Sequence, residues 1–280
     1  MSGEAPLRLG ISTCPNDTFA FHGMLTGAVE VPGVALEIEL MDVEELNAGL
    51  AAGRFDVAKG SFHAAFSLAG ELWLLRTGAA LGFDNGPLVL APAEPRPAGG
   101  PRRVLGPGRW TTAQLLFRLF HQEETEIEAV VFSDILPELA AGRADLGICI
   151  HEGRFTYADH GLRALEDLGE SWRARTGQPL PLGGIFARRQ LSREVVAGVE
   201  AAIRDSIAHA RAHPEEALVS MRRHAQEQSD QVLRAHVELY VNEHTDDLGP
   251  EGVAAITALE EEARRAGILT PGARLEVFGG

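Results

Sequence analysis

Cysteine, lysine and long apolar runs are scarce in this chain, and each scarcity excludes a class of protein. Cys14 and Cys149 are the only cysteines. Two cysteines do not form the disulfide framework of a small secreted domain, so reduced thiols are expected. No apolar run is long enough to span a bilayer. The first residues carry no apolar segment after a basic start, which argues against a secretory signal and predicts a cytoplasmic location.

Positive charge is also in short supply. The chain has 25 Lys and Arg against 40 Asp and Glu, which gives a formal net charge of −15. Such an acidic chain is poorly suited to nucleic acid or to an anionic membrane surface, and neither partner is expected. An anionic ligand would need local groups such as helix N-termini or single arginines. Lys59 is the only lysine, and it stands out because it follows a buried run at residues 55–58. Most such lysines extend to the surface, and that is the simpler expectation.

Phosphate-binding and metal-binding patterns are missing as well. The chain contains no P-loop, and Gly10 and Gly106 lie in no complete G-x-G-x-x-G pattern. Cys149 and His151 would share one face of a strand, but two ligands do not make a metal site. No metal is therefore expected.

A short internal repeat indicates two similar units. Residues 50–57 (LAAGRFDV) match residues 139–146 (LAAGRADL), and each segment reads as a helix end, a glycine stop and the start of a strand. Chance is the alternative in a chain rich in Ala, Gly and Arg. Because the elements on both sides of each segment also follow the same order, we favour a repeat. The sequence thus predicts an α/β protein with two lobes and a ligand cleft between them.

The lobe boundaries follow from composition. A Pro/Gly-rich connector covers residues 91–101. Residues 1–91 and 184–280 are predicted to form the first, discontinuous lobe, and residues 92–183 the second. From Ser192 onward the pattern is helical, and these late helices are expected to pack on the first lobe. Five histidines on them have no evident partner and are predicted to lie at the surface: His209, His213, His224, His236 and His244.

Residues 144–154 (ADLGICIHEGR) combine a buried strand with polar chemistry at its end. In open α/β sheets, ligands bind outside the carboxyl ends of the strands. A histidine at such a place, His151, is a candidate general base because its pKa lies near neutrality. The alternative is a histidine that only hydrogen-bonds a neighbouring loop.

Helix caps supply the other candidates. Residues 13–18 (TCPNDT) form a turn with helix-start chemistry after a first strand, which creates an anion site without a basic side chain. Cys14, just before that helix, is either a thiolate nucleophile or, more simply, a small residue packed in the turn. The residues expected to face the cleft and bind substrate are Asn16, Asp17, Thr18, Ser61, Gly108, Thr111, Thr112 and Arg154.

Two longer motifs carry a family resemblance. Residues 12–19 (STCPNDTF) and 150–157 (IHEGRFTY) resemble signatures of the 1,4-dihydroxy-6-naphthoate synthases of the futalosine route to menaquinone. Shorter matches occur at residues 86–88, 107–113, 179–183 and 240–242. The resemblance implies a type II periplasmic-binding-protein-like fold with two lobes, which agrees with the repeat.

The same resemblance implies an activity. Its members convert cyclic dehypoxanthinyl futalosine to 1,4-dihydroxy-6-naphthoate and a sugar-derived fragment, without a redox cofactor or a metal. His151 takes the place of the base that starts proton abstraction and fragmentation. By the same resemblance, Thr111 and Thr112 would hold the substrate carboxylate at a helix N-terminus.

The first lobe would bind the opposite end of the substrate through Asn16, Asp17 and Ser61. One departure is His63, where relatives are expected to carry a less polar residue. It is either a second acid/base group or an exposed side chain. Two other functions stay open, namely a solute-binding protein of the same fold and a chorismate dehydratase of the same pathway. A homodimer is compatible with the sequence.

Overall fold

The computed structural model describes residues 5–94, 102–123, 126–225 and 229–279. The strands in these ranges are β1 (Leu7–Ser12), β2 (Leu36–Met41), β3 (Val57–Ser61), β4 (Leu72–Leu74), β5 (Ala80–Gly82), β6 (Leu88–Pro92), β7 (Val104–Gly106), β8 (Ile127–Ala129), β9 (Leu146–Cys149), β10 (Leu162–Asp167), β11 (Leu180–Arg188) and β12 (Glu276–Val277).

The helices in the same ranges are α1 (Pro15–Ala20), α2 (His22–Leu25), α3 (Val43–Ala51), α4 (Phe62–Ser67), α5 (Thr112–Phe120), α6 (Phe132–Ala140), α7 (Gly153–Thr156), α8 (Leu168–Thr176), α9 (Arg193–Ala212), α10 (Pro214–His224), α11 (Asp230–Tyr240), α12 (Glu243–Asp246) and α13 (Gly249–Arg265). A short 3₁₀ helix covers Tyr157–His160. Each helix in the described ranges is too short or too polar to cross a membrane.

Two separate sheets carry the fold. The first has the order β12-β4-β11-β3-β1-β2, with β5 also paired to β11. The second has the order β10-β6-β9-β7-β8. In each sheet three consecutive strands run parallel, and one further strand joins them antiparallel: β11 beside β3, and β6 beside β9. The unit β1-β2-β3 thus corresponds to β7-β8-β9, and the protein is an α/β protein with two similar halves.

The repeated segments fold in the same way. Gly53 (φ +70°) and Gly142 (φ +65°) follow α3 and α6 in the left-handed region, which glycine adopts without steric cost. Each glycine stops its helix, and the chain then enters the parallel strand β3 or β9. The shared LAAGR sequence is therefore a helix stop used twice.

An aspartate three residues after each glycine fixes the strand that follows. The carboxylate of Asp56 accepts a hydrogen bond from the backbone N–H of Arg8 at 2.9 Å. Asp145 accepts the equivalent bond from the N–H of Arg103 at 2.8 Å. In both cases the backbone N–H of the aspartate is bonded in return to the carbonyl of the same arginine. These reciprocal pairs set the register between the first and third strand of each unit.

The core of the first sheet is apolar on both faces. Leu9, Ile11 and Val57 are completely buried with Ile185 and Ile203, which come from β11 and α9. The late helices pack on this half of the protein: α9 contacts α1 and α2, α10 and α11 contact α1, and α13 contacts β11. These contacts confirm the prediction that the late helices pack on the first lobe.

The structure corrects one local prediction, and part of another lies outside the described residues. The apolar residues 130–132 (VVF) predict a strand, but β8 ends at Ala129 and Phe132 already begins α6. Of the Pro/Gly-rich connector, residues 95–101 lie outside the described residues. Membership of the two sheets changes at β6 and again at β11. The division of the chain at residues 91 and 183 stays a prediction.

Candidate functional site

A cavity lies where the two sheets face each other. It encloses about 760 Å³, including space that is open to solvent. The carboxyl ends of β1, β3 and β9 and the first turn of α5 all reach it. Its polar lining residues are Ser12, Cys14, Asn16, Asp17, Lys59, Ser61, Thr111, Thr112, Cys149, His151, Arg154, His236 and Tyr240.

The carboxylate of Asp17 is the centre of a hydrogen-bond network on the first-lobe side. The hydroxyl of Ser12 donates to Oδ2 at 2.5 Å, and the amide of Asn16 donates to Oδ1 at 2.8 Å. Asp17 is only 3% exposed. A buried carboxylate is tolerated when it accepts hydrogen bonds and faces a positive charge. The turn between β1 and α1 is thereby held in one conformation.

The positive charge facing Asp17 is Lys59, whose Nζ lies 2.8 Å from Oδ1. Lys59 also donates to the carbonyl of Gly78 at 3.0 Å. The side chain is buried in the middle of β3, so the expectation of a surface lysine is wrong. Its strand is buried on both faces, and the four-carbon side chain has no short path to the surface. The only lysine of the chain is part of the site.

Ser61 lies at the carboxyl end of β3 and is fixed by Asn47 of α3. The Asn47 amide donates to the Ser61 hydroxyl at 3.1 Å, and its carbonyl oxygen accepts from the Ser61 N–H at 2.9 Å. Asn47 is completely buried. The Ser61 hydroxyl keeps its own proton as a donor toward the cavity.

His151 follows β9 at the edge of the cavity. Its backbone has φ +56°, an uncommon conformation for a residue with a side chain. The imidazole Nδ1 lies 2.9 Å from Cys14 Sγ, and Phe132 packs edge-on against the ring at a centroid distance of 4.8 Å. Burial lowers the pKa of His151 to about 4. The negative charge of Asp17 opposes this shift, and the positive charge of Lys59 adds to it. The ring is therefore neutral at pH 7 and able to accept a proton.

Cys14 is a protonated thiol in this environment. Burial, and then the charge of Asp17, raise the pKa of Cys14 well above its ordinary value. Burial first, and then the Asp17 carboxylate, thus disfavour a thiolate nucleophile at the start of α1. Burial likewise raises the pKa of Cys149 to about 12. Cys14 contributes a thiol next to His151 instead.

The N-terminus of α5 faces the cavity from the second half. The hydroxyl of Thr111 caps the helix by accepting from Gln114 N–H. The hydroxyl of Thr112 donates to the carbonyl of Leu182 at 2.7 Å, which links α5 to β11. Backbone N–H groups in the first helical turn lack partners within the helix and attract anions. Thr112 and Ala113, which both line the cavity, lie in this turn.

Further bonds join the two halves beside α5. His63 Nδ1 lies 3.2 Å from the carbonyl of Thr111, and the N–H of Trp110 donates to the carboxylate of Glu44 at 3.1 Å. His63 is 4% exposed, so its interpretation as an exposed side chain is wrong. It is not among the cavity-lining residues. Burial lowers the pKa of His63 to about 4, and the neutral ring donates its Nδ1–H to the carbonyl.

Arg154 reaches the cavity from α7 and is already engaged. Its guanidinium pairs with Asp167 at 2.6 Å and donates to the carbonyl of Gly86 at 2.9 Å. It thus ties α7 to the segments before β6 and α8. A guanidinium has five N–H donors, so capacity remains for a ligand.

Two predicted residues are not in the lining of the cavity. The hydroxyl of Thr18 is turned back into its own helix and donates to the carbonyls of Cys14 and Pro15. Gly108 adopts φ +141°, and a Cβ there would come within 2.5 Å of the Glu44 carboxylate. Gly108 allows the turn before α5 to approach α3.

His236 and Tyr240 of α11 line the cavity and were missed from the sequence. The prediction that His236 is a surface residue is wrong, since it is 1% exposed; the same applies to His244 at 4%. A signal was available, because His236 falls three residues after Leu233 and four before Tyr240, on one face of α11. The buried face of that helix is turned toward the site.

No group of three His, Cys, Asp or Glu side chains that could hold a metal ion is found in the part of the chain that is described. Cys149 and His151 both line the cavity. The polar groups of the site are instead two imidazoles, two thiols, hydroxyls, a guanidinium, an ion pair and a helix N-terminus. This set can bind an organic ligand with a carboxylate and hydroxyl groups and can accept a proton from it.

Structural comparison places the fold among periplasmic-binding-protein-like proteins. A crystal structure of the protein AF1704 from Archaeoglobus fulgidus matches with a TM-score of 0.88 and 32% identity, over 94% of this chain and 98% of that chain. The alkanesulfonate-binding protein SsuA from Xanthomonas axonopodis pv. citri matches with a TM-score of 0.69 and 13% identity, over 98% and 97%. The second match concerns the fold alone.

Sequence comparison gives the family. A protein from Thermus thermophilus named 1,4-dihydroxy-6-naphtoate synthase is 47% identical over 96% of this chain and 97% of its own length. A protein of the same name from Streptomyces coelicolor is 39% identical over 94% of each chain. A family model described as menaquinone biosynthesis matches residues 7–265. The chain therefore belongs to this family of menaquinone-biosynthesis enzymes, as the STCPNDTF and IHEGRFTY motifs predicted.

Proposed function

We propose that this protein converts cyclic dehypoxanthinyl futalosine to 1,4-dihydroxy-6-naphthoate and a sugar-derived fragment, and that His151 is the base that starts the reaction. The names of the curated relatives support the product. The observation that carries the mechanism is the neutral imidazole of His151 at the edge of a cavity that is lined from both sheets.

The Cys14 thiol is the contact that bears on the tautomer of His151. A neutral imidazole has one N–H and one free lone pair. The sulfur lies 2.9 Å from Nδ1 and 3.4 Å from Nε2. With the proton on Nδ1 and donated to the sulfur, the lone pair of Nε2 would take the substrate proton. The charge that develops on the ring is then stabilised by the Asp17 carboxylate, which raises the pKa of His151. Cys14 is accordingly a positioning residue for the base.

The substrate carboxylate is proposed to bind at the N-terminus of α5. Thr112 and Ala113 present first-turn N–H groups there, and the local helix dipole offsets the overall negative charge of the protein. Ser61 and the Asn16–Asp17 pair line the cavity from β3 and α1, and they are proposed to bind the other end of the substrate. The substrate would thus span the cavity, with His151 beside its reacting part.

The reaction needs a base, orientation and exclusion of water, since formation of an aromatic product supplies driving force. The hydrogen bonds from Thr112 to Leu182 and from His63 to Thr111 join the two halves around the substrate position. Closing these bonds over a bound substrate would fix the α5 N-terminus and exclude water.

The test is a product assay on the purified protein. Cyclic dehypoxanthinyl futalosine is added to the wild type, to His151→Ala and to a control variant, His160→Ala, whose side chain is exposed on the 3₁₀ helix. Naphthoate from the wild type and the control, with a loss of at least about 100-fold in His151→Ala, is expected for a general base. Substrate binding without product would favour the solute-binding alternative, and turnover of chorismate would favour the dehydratase.

A further inference from the structure

His236 is a second imidazole in the cavity, and the proposed mechanism does not use it. The residue is 1% exposed and lies on α11, with its ring nearly parallel to that of His151 at a centroid distance of 6.5 Å. Tyr240 and Phe155 pack around the ring at 4.8 Å and 6.2 Å. A histidine in such a position is held rigidly beside the reacting groups.

The hydrogen-bond network fixes the tautomer of His236. The Nδ2 amide of Asn16 donates to Asp17 at 2.8 Å, so the carbonyl oxygen of Asn16 is the atom that faces His236 Nε2 at 3.0 Å. A carbonyl oxygen only accepts hydrogen bonds, and Nε2 must therefore carry the proton. Burial and the neighbouring His151 lower the pKa of His236 well below its ordinary value, so the ring is neutral.

The other ring nitrogen, Nδ1, then has a free lone pair. It is buried and has no hydrogen-bond partner among the described residues. A buried acceptor without a partner is costly and needs an explanation. A ligand that enters the cavity with a donor would satisfy it.

We propose that His236 is an additional substrate-contacting residue, whose Nδ1 accepts a hydrogen bond from a hydroxyl on the sugar-derived part of the substrate. The inference rests on the proposed function for the identity of that substrate. A carboxylate offers no donor at neutral pH, which excludes the other end of the molecule. His236 is hydrogen-bonded to Asn16 and lines the cavity together with Asn16 and Asp17, whereas the carboxylate is proposed to bind at a different element, the α5 N-terminus.

Two substitutions separate this role from packing. His236→Phe keeps a ring of similar size but removes the acceptor, whereas His236→Gln offers one donor for Asn16 and one acceptor for the ligand. The matched control is His244→Phe. His244 is also a buried histidine near the C-terminal helices with one unbonded ring nitrogen, but it packs on Phe83 and is not in the cavity lining.

Three quantities are measured for each variant: kcat and KM with cyclic dehypoxanthinyl futalosine, Kd for 1,4-dihydroxy-6-naphthoate, and the thermal unfolding midpoint. His236→Phe is expected to lower kcat/KM about tenfold or more, as for one lost hydrogen bond with an unpaired hydroxyl. His236→Gln recovers most of this loss. The Kd for naphthoate, which lacks the sugar-derived part, changes less than about twofold, and His244→Phe stays near the wild type.

The outcomes distinguish this inference from the proposed function. A wild type that makes product while His236→Phe is equally efficient overturns the inference alone. An equal loss of naphthoate affinity in His236→Phe also overturns it, because the contact would then lie outside the sugar-derived part. If the wild type binds the futalosine substrate without turnover, the proposed function fails, and a weaker Kd for that substrate in His236→Phe still supports the contact. Absence of any binding overturns both.

Discussion

The ammonium group of Lys59 lies 2.8 Å from Oδ1 of Asp17, and neither side chain is more than 7% exposed. Both charges have lost their hydration and depend on each other and on the surrounding polar groups. Asp17 keeps its hydrogen bonds from Ser12 and Asn16 if the lysine is lost. Lys59 without Asp17 retains one partner among the described residues, the carbonyl of Gly78. Lys59 therefore depends more on Asp17 than Asp17 depends on Lys59.

Asp17→Asn is expected to destabilise the fold by roughly 3–5 kcal/mol, because it leaves a buried ammonium group without a counter-charge. The control is Asp246→Asn, which breaks the exposed pair with Arg211 at the same distance of 2.8 Å and should cost less than about 1 kcal/mol. Urea unfolding gives both values. Equal losses of unfolding free energy in the two variants would show that the buried pair contributes no more than an exposed one.

The pH dependence of catalysis should reflect the low pKa of His151. A base acts only when neutral, so kcat/KM is expected to fall as the pH drops through about 4, not through the ordinary histidine value of about 6.5. The measurement is kcat/KM between pH 4 and 8 at constant ionic strength. A half-maximal value near pH 6.5 would contradict a desolvated base.

Thr112 joins the proposed carboxylate site to β11 through its bond to Leu182. Thr112→Val keeps the shape but removes the hydroxyl, and we expect the Kd for 1,4-dihydroxy-6-naphthoate to rise about tenfold, with recovery in Thr112→Ser. Calorimetric titration gives the affinities. Unchanged binding in the valine variant would place the carboxylate elsewhere.

Stability should decrease from pH 7 to pH 5 because of buried neutral histidines. Burial lowers the pKa of His63 to about 4 in the folded state, whereas an unfolded chain has about 6.5. Between these values the unfolded state binds more protons, so the free energy of unfolding rises with pH and is lost on acidification. At pH 5 one such histidine lowers the free energy of unfolding by up to about 2 kcal/mol.

The variant His63→Phe removes this contribution and should flatten the pH dependence by about that amount. His160→Phe, at an exposed position, is the control and should leave the slope unchanged. Chemical denaturation at pH 5, 6 and 7 compares the three proteins. An identical slope in His63→Phe would mean that His63 does not titrate with unfolding.

Local signals predicted the elements that carry their own caps and stops. Asp42 forms a capping box at α3, and Thr111 and Ser192 cap α5 and α9 with their hydroxyls. The LAAGR repeat identified two equivalent helix stops, and the family motifs placed His151 at the site. These features depend on neighbours within a few residues, which a sequence shows directly.

The missed features depend on partners far away in the chain. Lys59 was assigned to the surface because its counter-charge, Asp17, lies on a different element. His63 is buried by a contact with Thr111 of the other half, and His236 by its bond to Asn16 at the opposite end of the chain. In each case a polar residue is buried because a distant group satisfies it, and spacing within one segment does not reveal such a partner.

The chain's only lysine side chain is sealed in the site. Reagents that acylate amines find no other ε-amino group, so the rate at which Lys59 is acylated measures how often the cavity opens. Ligands that hold the two halves together should lower this rate, and substitutions that loosen the halves should raise it. Because lysine is so scarce, the buried ion pair can be used to follow motion of the cleft.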